Sequence, residues 1–183
     1  GLVFVTKIKM EINIRNEAAK DIEPVREILR ATFPTDAESK LVDALRANGK
    51  AIIALVAVWD EQVVGHILFS PVTITPPGGA SPLSEAKGIG LAPVAVRTDV
   101  QSQGIGSQLI REGLRLCKEH GYDYCVVLGG PNYYKRFGFE KASQFGVQNE
   151  YGVDDEFMLI RFSKRGMIQG LVKYSPEFGM FSV

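Results

Sequence analysis

The sequence predicts a mixed α/β (α+β) domain, and three observations carry that expectation. Apolar spacing switches repeatedly between two residues and about 3.6 along the chain, the periods of strand and helix. The segments so marked run β-α-α-β-β-β-α-β-α-β, with some strands consecutive and others separated by helices. With 183 residues, 45% hydrophobic and 23% charged, the chain has the size and apolar content of one globular unit with its own core.

Each element has a local reason. Glu11–Asn16 alternates polar residues with Ile12 and Ile14, as a short strand does. Asp21 is a good N-cap, and Pro24 falls in the first turn, where a missing N–H costs little. Ile22, Val25, Ile28 or Leu29, and Phe33 then recur at helical spacing until Pro34 stops the run. A second helix starts at Thr35 or Asp36, turns Leu41, Ala44 and Leu45 inward, and stops near Asn48-Gly49. Ala51–Trp59 and Gln62–Thr75 are rich in β-branched residues and joined by Asp60-Glu61, a hairpin signature. Thr75–Glu85 is a surface loop dense in Pro and Gly. It is no domain boundary, because each side lacks the strands it needs to stand alone. Gly90–Val96 follows as a strand, and Gly104–His120 as an amphipathic helix with Leu109, Ile110, Leu114, Leu116 and Cys117 inward. Tyr124–Leu128 is a buried strand, Asn132–Arg136 a short helix and Phe157–Phe162 a late strand. Residues 1–10 stand apart as a leader, a tag remnant or an extra strand, Met10 being an alternative start; residues 11–183 are expected to form a single domain.

Composition excludes several classes. Ten Phe and a balanced charge oppose intrinsic disorder. The longest apolar run, Ala51–Trp59, has nine residues, against about 20 for a spanning helix, so no membrane partner is expected. Twenty-one basic residues offset 21 acidic ones and no basic stripe occurs, which argues against nucleic acid. Cys117 and Cys125 read as buried small hydrophobes with no metal-ligand spacing, so neither a metal nor a disulfide is expected and a reducing cytoplasm is the default.

The chemistry lies in Leu91–Leu109. A Val94-Ala95-Val96 strand runs into Gln101-Ser102-Gln103-Gly104-Ile105-Gly106, and a helix starts directly after. Two glycines let backbone approach a ligand, and the next amides are helix N-terminal donors at the positive end of the dipole. Together they form a pyrophosphate cradle whose charge comes from backbone dipoles rather than Lys or Arg. Leu109 stands where a Rossmann fingerprint needs its third glycine, and no P-loop string occurs.

What remains, Q-x-x-G-x-G after a Val-Ala-Val strand, resembles the acetyl-coenzyme A signature of the GNAT superfamily of N-acetyltransferases. Downstream, Cys125–Gly129 resembles the family's next strand, and Tyr134, Gly138 and Phe139 match its YxxxGF pattern. The resemblance spans roughly Ile12 to Phe162, and looks closest to a branch of bacterial predicted acetyltransferases.

The resemblance implies a central mixed, mostly antiparallel sheet flanked by helices and splayed at the cofactor strand. It implies acetyl-CoA as co-substrate and direct attack of an amine on the thioester. Main-chain groups of Val94, Ala95 and Val96 would pair with pantetheine; Gln101, Ser102, Gln103, Gly104, Ile105, Gly106 and Ser107 would wrap the pyrophosphate. Tyr134 would protonate the departing thiolate, and a backbone N–H such as that of Val94 would stabilise the oxyanion. Tyr133 is read as packing or cofactor contact.

The base is less clear-cut. Family members often carry a Glu on the strand before the motif, yet Gly88–Val96 has no carboxylate, and Glu85 lies in the loop upstream. His66 is a candidate base, expected on one strand face with Val64 and Leu68. Asp154-Asp155-Glu156 reads as a solvated turn or a site for a cationic amine. Two functions follow. One is an N-acetyltransferase acting on a small-molecule amine or a protein amino group, with a homodimer compatible with late strands that pair between subunits. The other is a non-catalytic acyl-CoA-binding sensor or regulatory module.

Overall fold

A computed structural model of the chain describes residues 10–79 and 86–181. Residues 1–9 of the expected leader over 1–10, and the loop carboxylate Glu85, lie outside the described residues. Chain order gives β1 (Asn13–Asn16), α1 (Ile22–Thr32), α2 (Ala37–Ala47), β2 (Ile53–Trp59), β3 (Gln62–Thr75), β4 (Gly88–Val96) and α3 (Ile105–Glu119). Then come β5 (Tyr124–Leu128), α4 (Pro131–Tyr134), β6 (Glu140–Lys141), β7 (Val147–Asn149), β8 (Phe157–Arg161) and β9 (Gly170–Tyr174).

Local chemistry sets the boundaries. α1 starts after Asp21, but the Asp21 carboxylate does not cap it. It accepts instead from Arg15 at 2.6 and 3.0 Å and from the Ala18 N–H at 2.7 Å, tying β1 to the helix entrance. The Arg15 hydrogen bond holds this carboxyl below the usual carboxylate range. Phe33 is extended, as the residue before Pro34 should be. Asp60 and Glu61 both take left-handed backbone (φ 51° and 62°), giving the β2–β3 turn the hand that matches strand twist.

Among the described residues the sheet runs β1-β2-β3-β4-β5-β8-β6. Its pairs are antiparallel except β4–β5 and, on a side branch, β7–β9. β3 outlasts β2: their pairing spans Ile53↔Phe69 to Trp59↔Gln62, and β9 then occupies the freed edge from Val72↔Tyr174 to Thr75↔Leu171. Sequence periodicity missed β6, β7 and β9. Two- and three-residue strands are too short to show a period, and β9 is placed by its remote partner β3.

Side-chain alternation divides the core. Val56, Leu68 and Val72 pack with Val25, Leu29, Leu41 and Leu45 under α1 and α2. Leu55, Ile67 and Phe69 pack with Ile105, Leu109, Ile110 and Cys117 under α3, with Leu116 half-buried at the edge. A bulge upsets one expectation. Gly65 faces Ala57 while Val63 faces Val58, so Val64 is the extra residue and joins the α3 cluster, opposite Leu68.

Candidate functional site

β4 and β5 pair only at Gly88↔Tyr124, Ile89↔Cys125 and Gly90↔Val126. Past Gly90 the two strands part. The split coincides with an irregularity on the other edge of β4, where Leu91 faces Phe69 and Val94 faces Ile67, so Ala92 and Pro93 stand against Leu68 alone. Ladder parity then fixes where the backbone points. The Arg97 N–H donates to the Val64 carbonyl at 2.7 Å, which makes His66–Ala95 the next hydrogen-bonded pair. Main-chain groups of Val94 and Val96 therefore turn away from β3 into the gap. The Val96 carbonyl accepts there from Gln101 Nε2 at 3.1 Å and Thr32 Oγ1 at 3.5 Å.

At the end of β4 the gap widens into a cavity of about 530 Å³. It is lined by Val94–Val96, Gln101, Ser102 and Gly104–Ser107, together with Thr32, Tyr133 and Arg136. Ser102 (φ 63°) and Gly104 (φ 81°) are left-handed, reversing the chain into α3. Holding a non-glycine residue such as Ser102 there costs ~1–2 kcal/mol, a cost offset by the rest of the turn. Gly104 sits at the N-cap with no side chain to bond the first turn, and the first intrahelical bond is Gln108 N–H to Gly104 O at 3.1 Å. The amides of Ile105, Gly106 and Ser107 thus precede the helical ladder, at the positive end of the dipole, and can hold an anion.

The structure places two residues of this region differently. Gln103 is exposed and lies outside the cavity lining. Nor is the cradle's charge purely dipolar: Arg136 lines it, with its guanidinium 5.0 Å from the Tyr133 ring centroid. A charge two residues past Tyr134 carries no motif of its own, so only the fold connects it to a loop some thirty residues earlier.

A second cavity, about 690 Å³, opens on the other side of Val94, between α2, the end of β5 and the C-terminal segment. Its walls are mainly apolar and aromatic, and its ionisable side chains include Tyr134, Glu38 and Glu150. Tyr134 is 7% exposed and stands edge-on to Tyr133 (5.1 Å) and Phe139 (5.5 Å). Gly129 leaves room for its ring, which a Cβ at that position would overlap. Burial pushes the phenol up to about 12, so the hydroxyl keeps its proton at neutral pH and can donate it. Glu38 Oε2 is shut off from solvent and has no hydrogen-bond partner among the described residues, whereas Glu150 Oε1 accepts from the Tyr174 N–H at 3.1 Å. Sequence reading passed over both carboxylates. One looks like a routine first-turn helix acid, and the other follows a strand too short to detect.

His66 lines neither cavity. It is fully buried with Nδ1 3.7 Å from Glu17 Oε1, and Glu17 is itself paired with Arg46 at 2.5 Å. Burial, reinforced by the Arg46 charge, lowers the imidazole to about 3. His66 is therefore neutral, its contact with Glu17 is no ion pair, and its position removes it from the role of base. Asp154, Asp155 and Glu156 are exposed and line neither cavity, in keeping with a solvated turn. Cys117 and Cys125 are free and buried, with burial raising both thiols. Among the described residues, no group of three His, Cys, Asp or Glu could hold a metal ion, and no helix is long and apolar enough to cross a membrane.

The sequence profile of the acetyltransferase (GNAT) family matches residues 22–139, which hold α1 through the Tyr134–Phe139 segment. The chain belongs to the GNAT family of acetyltransferases. The uncharacterised N-acetyltransferase YhbS of Escherichia coli is 37% identical over 172 residues, 92% of this chain and 99% of that one. The uncharacterised N-acetyltransferase YjhQ of the same organism is 34% identical over 139 residues, 74% of each chain. The crystal structure of YhbS in complex with CoA superposes with a TM-score of 0.84 at 35% identity, covering 98% of both chains. A GNAT acetyltransferase from Brucella melitensis in complex with acetyl-CoA gives 0.74 at 37% identity, covering 92% of this chain and 98% of that one. The mixed, mostly antiparallel sheet expected from the motifs is the sheet of these GNAT structures.

Proposed function

We propose that the chain transfers the acetyl group of acetyl-CoA to an amine by direct attack on the thioester. The observation that carries this reading is a pair of cavities along the splayed strand that share Val94 in their linings. Unpaired helix amides and an arginine lie at one end, a protonated buried tyrosine at the other, and Val94 joins them. Relatives at 35–37% identity whose structures contain CoA or acetyl-CoA support the same occupant.

The thioester supplies an activated acetyl group, and the chain's residues do the rest. Amides of Ile105–Ser107, with Ser102 and Arg136, receive the pyrophosphate. Main-chain groups of Val94 and Val96 align the pantetheine arm, so Gln101 and Thr32 yield the Val96 carbonyl on binding. The Val94 N–H, turned into the gap, stabilises negative charge growing on the carbonyl oxygen. Holding amine and carbonyl together supplies much of the acceleration. Tyr134 gives its proton to the leaving sulfur. A sensor lacking turnover would need neither that donor nor the two carboxylates lining the second cavity. The buried thiols, and a co-substrate of central metabolism, support a cytoplasmic setting.

Calorimetry with acetyl-CoA, followed by thiol-release assays over an amine panel, tests the reading. Micromolar binding together with amine-dependent thiol release is the expected result. Absence of acetyl-CoA binding overturns it.

A further inference from the structure

We infer that the acceptor is a small, singly cationic amine on an apolar or aromatic body, and that Glu38 receives its ammonium and removes its proton. The inference rests on reading the paired cavities as an acetyl-transfer site, and deepens it by naming the acceptor.

The second cavity sorts ligands by charge. Among the described residues no Lys, Arg or His lines it, while Glu38 approaches from α2 and Glu150 from the turn after β7. Glu38 Oε2 is screened from solvent and has no hydrogen-bond partner among the described residues. An unpaired oxygen of this kind in an apolar wall is costly unless a donor or cation meets it. Glu150 differs in being anchored: the Tyr174 N–H fixes one oxygen and leaves the other for the ligand. The remaining walls, Phe33, Tyr151, Phe178 and Phe181 among them, are aromatic and suit a hydrocarbon body. An acceptor with its own carboxylate would meet two negative groups and no positive one, so amino acids are rejected. A polyhydroxylated amine would leave its hydroxyls unpaired. The volume, about 690 Å³, matches the few hundred to about 1,000 Å³ of small-molecule sites.

The proton balance closes. The ammonium gives one proton to Glu38, and the freed lone pair forms the C–N bond. As the C–S bond breaks, the sulfur takes the Tyr134 proton, and the nitrogen's second proton restores the phenol. Glu38 returns its proton to solvent, leaving amide, thiol and one proton.

The test compares 2-phenylethylamine, phenylalanine and a blocked lysine peptide as acceptors for the full chain, the Glu38→Gln variant and the Glu150→Gln variant. Wild type is expected to prefer phenylethylamine over phenylalanine by about 100-fold in kcat/KM, corresponding to two tenfold steps in affinity-scale free energy. Glu38→Gln should weaken phenylethylamine binding to CoA-saturated protein by about tenfold and move the acid limb of the pH profile upward. Its acetyl-CoA affinity should not change, and without ligand its Tm should equal or exceed the wild-type value, because an unpaired carboxylate has been removed. Glu150→Gln keeps an oxygen for the Tyr174 N–H and should lose part of the discrimination against phenylalanine. Preference for the peptide or phenylalanine overturns the inference while leaving acetyl transfer standing. So does unchanged amine binding in Glu38→Gln, or acetyl-CoA binding without phenylethylamine turnover. Loss of acetyl-CoA binding in wild type overturns the underlying reading instead.

Discussion

The two cavities that meet at Val94 are built from different materials. The cradle is made mainly from one stretch of chain, Val94–Ser107, joined by Thr32, Tyr133 and Arg136, and its working groups are mostly backbone: the end of β4, a left-handed turn and the open first turn of α3. The second cavity is made from side chains delivered by Phe33 after α1, by α2, β4, β5 and α4, by the turn after β7, and by β9 and the C-terminal segment. Backbone donors depend on local conformation and tolerate few sequences. Side-chain walls depend on which distant segments meet and tolerate many. Under the proposed reading, the cradle would fix the co-substrate and the walls the acceptor.

Substitutions break or sharpen that contrast in graded steps. Gly106→Glu should have the largest effect. A Cβ there has room, 3.5 Å from Tyr133 Oη, but a carboxylate would enter the cradle and repel an anion. Calorimetry should show acetyl-CoA affinity lowered by at least about 100-fold. Tyr134→Phe should lower kcat by about 100-fold, the scale of a lost general acid, with little change in acetyl-CoA affinity. With the phenol held up at about 12, wild-type activity should show no Tyr134-dependent alkaline limb in rate profiles at moderately basic pH. Arg136→Ala should weaken acetyl-CoA by about tenfold and reduce the salt dependence of binding, leaving kcat intact. His66→Leu should leave kcat/KM unchanged in steady-state assays. It should show itself in stability instead. The folded imidazole titrates near 3 rather than at its ordinary 6.5, so its contribution is complete above 6.5 and declines as pH falls towards 3. Urea titrations should show that His66→Leu removes a slope of about 1 kcal/mol per pH unit on the acid side of 6.5.

Legibility in the sequence followed the same divide. α1, α2, β3, α3 and β5 lie within a residue or two of their expected bounds, because caps, prolines and periodicity are encoded locally. The candidate cradle was legible for the same reason: strand, turn and helix start are contiguous. Arg136 was missed because the fold alone brings it to the loop. His66 misled because its residue type suits a base, whereas its environment, set by Glu17, Arg46 and the Val64 bulge, is that of a buried structural group. Glu38 and Glu150 were missed because nothing in their local sequence distinguishes a wall carboxylate from a solvated one.

The extra length of β3 has a consequence for how this scaffold can diversify. Residues Val72–Thr75 reach past β2, and β9 attaches there, more than ninety residues along the chain. The profile shared across the family stops at residue 139, before β6, β7, β8 and β9. Part of the wall of the second cavity, Glu150, Tyr151, Val153, Tyr174, Phe178 and Phe181, thus lies on segments beyond that profile. A change in that part of the wall need not disturb the register of β3 on β4, and with it the Val94–Val96 backbone that faces the first cavity.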